Sequence, residues 1–270
     1  MPVGPALLFC PADRPDRFLK AAAAADMVIL DLEDGVRPAD RAGAREALAT
    51  TLLDPQRTLV RVNPVGTEDF SLDMVALART PYENVMLAKT ESAQDVDALG
   101  PRPVIALCET ARGVVEVANI AQAASTVALM WGAEDLVVSL GGRSSRTSNG
   151  HYRAVATHAR SQVLLAARAH DRAAIDSVHL DIADLEGLRS EALDAAGSGF
   201  CATACIHPTQ VAIVRAAYEP TDEEIAWASA VIKAAEGQRG VFTFQGRMID
   251  APLLGHALQI LHALSRQPPS

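Results

Sequence analysis

Glu109 and Asp135 stand just past two consecutive short apolar runs, in the segments IALCET and MWGAEDL. If those runs are neighbouring strands, the two carboxylates can converge. Two carboxylates with waters and a substrate oxygen suit Mg²⁺, a hard cation that keeps much of its hydration. No multi-His or thiolate set accompanies them, which disfavours zinc. The alternative is a pair of carboxylates that cap the helices following them, Asp135 neutralising a helix N-terminus. Arg61, in VRVNP, offers a guanidinium suited to gripping a carboxylate or stabilising a developing enolate oxygen. It is equally suited to an ion pair with Asp31, Glu33 and Asp34 of VILDLEDGV, and the two roles are compatible. Lys89, in MLAKTES, also has two readings: a Schiff-base nucleophile, or an ion pair with Glu91 or Glu109, which is preferred. Asn63, Glu134, His207 and Gln210 complete the polar residues that follow apolar runs.

The elements that must carry these residues form a regular alternation. Apolar runs at 6–10, 27–32, 58–62, 84–88, 104–108, 127–131, 174–178 and 202–206 read as strands. Helical patterns at 15–25, 40–53, 68–79, 93–99, 111–124, 152–169, 184–196 and 208–217 follow them. Eight β–α repeats in strict order predict a closed TIM (β/α)8 barrel over residues 1–220, the catalytic domain. Strands covered on both faces read as unbroken apolar runs, as these do. An open doubly wound sheet is the alternative, but no GxGxxG turn follows any run. In a barrel all the strand carboxyl ends open on one face, and the polar residues named above fall there.

Residues 221–270 are expected to form a C-terminal helical extension covering an active site or a neighbouring subunit. Thr221 and Glu224 make a capping box for a helix ending near Glu236. A glycine-bearing loop, 237–246, and a helix over 253–264 follow, and the tail RQPPS is expected to fray. Leu253, Leu254, Leu258, Ile260 and Leu261 form an apolar stripe that should bury against the barrel or against another copy. The Gly/Ser/Arg-rich segment 140–153 is read as a loop that closes over substrate, the alternative being an ordinary flexible connection.

The chain has 270 residues, 49% hydrophobic, which suits one large core. A formal charge of −9 argues against nucleic-acid binding, although a local patch can still hold an anionic small molecule. Four cysteines without CxxC or zinc spacing read as buried, reduced thiols of a cytoplasmic protein. The N-terminus lacks the pattern of a signal peptide, and no apolar run approaches the roughly 20 residues of a membrane span.

FCPADRPDRFLKAAAAADMVILDLEDGV, RVNP, VMLAKTES, ALCETARGV, MWGAEDL, CIHPTQ and GRMIDAPLL occur in this order over nearly the whole chain. Together they resemble the citrate lyase β-subunit-like proteins of the HpcH/HpaI aldolase and citrate lyase superfamily, whose relatives include malyl-CoA and citramalyl-CoA lyases. The resemblance implies a barrel, Mg²⁺, and the making or breaking of a C–C bond beside a thioester. It implies Glu109 and Asp135 as metal ligands and Arg61 as the residue holding an oxo-acid, with Glu134 and Asp135 also lining that pocket. It implies Phe9, Arg14 and Lys20 as coenzyme A contacts. It implies Asp250 as an acid/base that reaches a neighbouring subunit's site in a homotrimer; the alternative is an N-cap of the last helix, before Pro252, in a segment docked on its own barrel. Two departures, Ala88 where proline is common and no lysine before CIHP, bear on substrate detail.

The activity so implied is Mg²⁺-dependent cleavage of a malyl-, citramalyl- or citryl-type β-hydroxyacyl-CoA, releasing an oxo-acid and an acyl-CoA or acetyl thioester. One alternative is a citrate lyase β-subunit acting on an acyl-carrier thioester inside a multi-subunit complex. Another is an oxo-acid aldolase that needs no coenzyme A.

Overall fold

The computed structural model describes residues 2–238 and 240–265; the tail expected to fray, 266–270, lies outside them. Eight parallel strands close a barrel in sequence order: β1 (Ala6–Pro11), β2 (Met27–Asp31), β3 (Thr58–Val62), β4 (Val85–Leu87), β5 (Val104–Cys108), β6 (Thr126–Trp131), β7 (Ala173–Asp176) and β8 (Ala202–Cys205). β8 pairs back to β1 through Ala6, Leu7 and Leu8. The TIM-barrel expectation is therefore met, and each expected strand lies within two residues of the observed one.

Side chains alternate across each strand. Leu7, Ile29, Leu59, Ile105, Met130 and Ile175 are among those that fill the barrel interior. Each such side chain, fully buried, contributes roughly 1.5–3 kcal/mol of transfer free energy. Counting onward in steps of two from these positions reaches Phe9, Asp31, Arg61, Glu109, Gly132 and Ser177, which all line one cavity at the carboxyl ends. The pleat that points apolar side chains into the core thus brings these six positions to the site.

Helical segments differ in detail from expectation. The helix expected from residue 15 begins with a 3-10 turn, Pro15–Arg17, with proline at its first position, and continues as Phe18–Ala24. A seven-residue helix, Ala133–Ser139, was not legible in the sequence and carries Glu134 and Asp135 in its first turn. The helix Ala154–Ala169 packs over β6 and β7.

The chain forms two compact units, one ending at Arg215 and one beginning at Ala216. In the second, the helix Asp222–Ala235 opens on the expected Thr221–Glu224 capping box. The expected loop after it instead contains an antiparallel hairpin, β9 (Phe242–Phe244) and β10 (Arg247–Ile249). Its two-residue turn, Gln245–Gly246, has both φ angles positive, the backbone that matches strand twist in tight hairpins. The last helix is Ala251–Ser265. Its stripe is covered in part within the same unit: Ile260 is buried, and Leu253, Leu254 and Leu261 pack with it against Ala228, Val231 and Ile249. Leu258 alone of the stripe is exposed.

All four cysteines are free thiols, three of them buried. Burial pushes Cys10 up to about 11 and Cys205 to about 12, so neither is a reactive thiolate at neutral pH. No described helix is long and apolar enough to cross a membrane.

Candidate active site

The cavity at the carboxyl ends of the strands has a volume of about 320 Å³. Its charged wall comes from β2 to β6. Asp31 and Arg61 are register partners on β2 and β3. The Asp31 carboxylate accepts from Arg61 Nε and Nη2, both at 2.6 Å, and from the backbone N–H groups of Glu33 and Gly35 at 3.0 and 2.9 Å. Four donors on one carboxylate lock the guanidinium in place, and Glu33 Oε2 adds a third oxygen at 3.3 Å from Nη1. Arg61 also lies over the Phe9 ring, 4.8 Å from its centroid. These partners hold the guanidinium firmly charged despite its burial.

Glu109 is placed very differently. It is 3% exposed, and among the described residues its carboxylate accepts one hydrogen bond, at Oε1 from the Lys89 N–H, 3.1 Å. Lys89 adopts a left-handed backbone (φ 48°) to make that bond, a conformation uncommon outside glycine. Burial, then the nearby Asp135 carboxylate, push Glu109 up to about 8; Arg61 and Lys89 only partly oppose this. In the chain without metal, the Glu109 carboxylate is buried near that of Asp135, and Arg61 and Lys89 offset its charge only in part. That is the electrostatic deficit a divalent cation would fill. Among the described residues no group of three or more His, Cys, Asp or Glu side chains could hold a metal. Glu109 and Asp135, completed by water and ligand oxygens, would make a donor set that fits Mg²⁺.

Asp135 lines the cavity from the first turn of the helix Ala133–Ser139, so a helix-terminus role and a cavity role coincide in it. Glu134 also lines the cavity, but its Oε1 accepts from Ser145 Oγ at 2.5 Å. Lys89 does not pair with Glu91 or Glu109 side chains as expected. Its Nζ bonds Glu33, Asp34 at 2.9 Å and Asp135 at 3.2 Å, because the left-handed turn swings the side chain toward β2. Burial works to lower its pKa, but Glu33, Asp34 and Glu109 outweigh that and keep it an ammonium ion.

Two glycines make room for the acids. A Cβ at Gly132 would lie 2.7 Å from Glu109 Oε2, and one at Gly35 would lie 2.2 Å from Asp31 Oδ2. Both sit inside the motifs LEDGV and MWGAED, yet nothing in one sequence marks them as space for a carboxylate.

The remaining rim residues are structural. Asn63 bonds Asp73 Oδ2 at 2.7 Å and the Leu32 carbonyl, and Glu91 accepts from Thr110 at 2.8 Å. Gln210 bridges the Ile206 N–H and the His179 carbonyl, and His207 turns to Thr209. Phe9 lines the cavity, whereas Arg14 and Lys20 are exposed on the chain leaving β1, Arg14 beside Asp16 at 3.3 Å. Asp250 belongs to the C-terminal unit, where its Oδ1 accepts from the Leu253 N–H at 3.2 Å and caps the last helix.

Sequence reasoning missed the segment after β7 and the anchoring of the 140–153 loop. Ser177, Val178 and Leu180 line the cavity, as do Arg146 and Tyr152 from that loop. The inward parity of β7 would have marked Ser177. Arg146 is set by Glu191, a partner 45 positions away that no local pattern indicates.

The model of the HpcH/HpaI aldolase/citrate lyase family matches residues 6–208. A citrate lyase subunit beta-like protein of Mycobacterium tuberculosis is 59% identical over 258 residues, covering 96% of this chain and 94% of its own. The mitochondrial citramalyl-CoA lyase of Rattus norvegicus is 30% identical over 95% of this chain and 84% of its own. The crystal structure of protein CitE from Mycobacterium tuberculosis, in complex with magnesium, acetoacetate and coenzyme A, superposes with a TM-score of 0.95 at 58% identity. It covers 97% of this chain and 98% of its own. The match of the family model, the similarity over nearly the full length and the shared fold lead to one assignment: the chain belongs to the HpcH/HpaI aldolase/citrate lyase family, an enzyme family of carbon–carbon lyases.

Proposed function

We propose that the protein is a Mg²⁺-dependent lyase that cleaves a β-hydroxyacyl-CoA of the malyl, citramalyl or citryl type into an oxo-acid and an acyl-CoA. The observation that carries this reading is the buried Glu109 beside Asp135, in one cavity with an Arg61 clamped by Asp31. Glu109 and Asp135 would hold the metal. When bound, Mg²⁺ supplies Lewis-acid stabilisation of oxygens that gain negative charge.

The protein's own groups do the rest. Arg61, fixed in direction by Asp31, holds the carboxylate of the oxo-acid portion and keeps that end of the substrate still. Gly132, lacking a side chain, leaves room for the Glu109 carboxylate in the cavity wall. Phe9 offers its ring at the rim, and Arg14 and Lys20 offer cations to the phosphates of coenzyme A. Asp250, supplied by a neighbouring copy in a trimer, would exchange the proton at the thioester α-carbon. Its helix-capping bond uses one carboxylate oxygen, leaving the other for that task. The fixed positive charge of Lys89 speaks against an imine mechanism, which needs a neutral amine.

The test is turnover of malyl-, citramalyl- and hydroxymethylglutaryl-CoA by purified protein with Mg²⁺, followed as free oxo-acid. Cleavage of at least one, stopped by chelator, is the expected result. No cleavage of any, or cleavage indifferent to chelator, overturns the reading. For Asp250, subunits of Asp250→Ala and Glu109→Gln variants are exchanged. Activity returns if the aspartate crosses between copies, and stays absent despite verified exchange if it serves its own chain.

A further inference from the structure

The side-chain hydrogen-bond donors lining the cavity are Arg61, Arg146, Tyr152 and Ser177. Arg61 is engaged by Asp31 and Glu33. Arg146 is engaged by Glu191, at 2.5 and 3.1 Å, and by the Gly150 carbonyl at 2.8 Å. The hydroxyls of Tyr152 and Ser177 make no hydrogen bond to a described residue. Both belong to the β6–β8 side of the cavity, with Met130, Val178, Leu180, Ile206 and Arg146. Apart from Arg146, which Glu191 already engages, that side is apolar, and the two hydroxyls are its unengaged donors.

Tyr152 is held from several directions. The Arg146 guanidinium lies 3.8 Å from its ring centroid, and Trp131 meets it edge-on at 5.2 Å. Trp131 Nε1 in turn donates to Asp176 at 2.6 Å, and Arg160 holds Asp176 at 2.9 Å. His179 Nδ1 lies 2.9 Å from Glu191, the partner of Arg146. The backbone around Tyr152 is a closed hairpin: Arg146 and Tyr152 form an antiparallel bridge, and Thr147 N–H bonds the His151 carbonyl at 2.8 Å. Ser145 ties its base to Glu134. A side chain buttressed this heavily, in the cavity lining and with a hydroxyl that no described residue engages, is a preorganised donor.

We propose that Tyr152 is a further catalytic residue, whose hydroxyl donates a hydrogen bond to the thioester carbonyl oxygen and stabilises the enolate left there by C–C cleavage. This rests on the lyase reading above. In that step the C–C bonding pair passes to the α-carbon and onto the thioester oxygen. The β-hydroxyl proton leaves to a base as the new C=O forms, and one proton returns to the α-carbon. Tyr152 keeps its own proton throughout. Burial and the nearby Glu191 carboxylate raise its pKa, so it is a neutral donor and not a base across the working range. The charged wall already serves the oxo-acid; the second oxygen that gains charge needs a donor from the other side.

The test is Tyr152→Phe, which keeps the ring between Arg146 and Trp131 and removes only the hydroxyl. With whichever thioester the wild type cleaves, kcat should fall about 100-fold with KM changed little, the loss typical of an oxyanion donor. A second reading uses acetoacetyl-CoA with Mg²⁺, whose enolate absorbs in the near ultraviolet. The wild type should raise that band, and the variant should lose it while calorimetry shows the thioester still bound. A kcat within twofold of wild type, a retained band, or loss of both signals in Ser177→Ala instead overturns the proposal. A wild type that cleaves none of the thioesters but whose enolate band depends on Tyr152 overturns the lyase reading alone. A wild-type lyase indifferent to Tyr152→Phe overturns this inference alone.

Discussion

Asp31 and Glu109 are both carboxylates at inward positions of barrel strands, 2% and 3% exposed, and they have opposite surroundings. Asp31 receives four hydrogen bonds, two from a guanidinium in ideal fork geometry. Glu109 receives one and faces another acid. The first region is electrostatically complete and the second is not. Completeness fits a part whose task is to hold Arg61 still; deficit fits a part whose task is to take up a cation. Buried carboxylates at the same rim therefore divide by whether their charge is already answered within the chain.

The comparison can be broken most directly at Glu109. Glu109→Gln and Asp135→Asn should each weaken Mg²⁺ binding by more than about 100-fold in calorimetry, beyond the usual effect of outer-shell changes. The fold should survive Glu109→Gln, because glutamine resembles the protonated acid that dominates below pH 8 in the metal-free chain. Unchanged Mg²⁺ affinity in both variants would remove the metal assignment. Asp31→Ala should act on stability instead. It leaves Arg61 buried without its main partner, at a cost of about 3–5 kcal/mol in denaturant unfolding. A loss under 1 kcal/mol would mean that Glu33 suffices as the counter-ion.

A milder test is pH. Glu109 is raised to about 8 without metal, so below that pH a proton must leave before the cation enters. Mg²⁺ affinity should rise by up to about tenfold per pH unit from pH 5 to 8 and flatten above. Stability of the metal-free protein should run the other way. The folded state holds the Glu109 proton more tightly than the unfolded one, so its contribution is complete below about 4.5 and is lost as pH rises through 8. Affinity that is flat across this window would deny the deficit at Glu109. The smallest expected effect is none at all. Oxo-acid with borohydride should leave no mass adduct at Lys89, and chelator should still stop turnover. An adduct with chelator-resistant activity would reverse the choice of mechanism.

The barrel was legible because strands buried on both faces must be continuously apolar, and eight such runs alternate with helical ones. The last inward residue of each run was legible for the same reason, which is why Arg61 and Glu109 stood out. Partnerships were less so. Arg61 with Asp31 followed from adjacent strands, but Lys89 turned to Glu33, Asp34 and Asp135 through a left-handed backbone that its sequence context does not announce. Helix Ala133–Ser139 was hidden because seven residues are too few for periodicity to speak. The three-residue strands of the β9–β10 hairpin were hidden likewise. The apolar stripe of the last helix was read correctly as a face to bury, while its cover came from its own unit.

Gly35 and Gly132 have ordinary negative backbone angles, so neither is present for flexibility. Each is a volume kept vacant beside a carboxylate oxygen. For anyone diversifying this pocket, the two positions are fixed points although neither offers a functional group. Alanine there would displace Asp31 or Glu109, and selection would discard it together with whatever useful change accompanied it. The wall that can be rewritten lies across the cavity, at Val178, Leu180 and Ile206, where side chains meet the ligand space without supporting an acid.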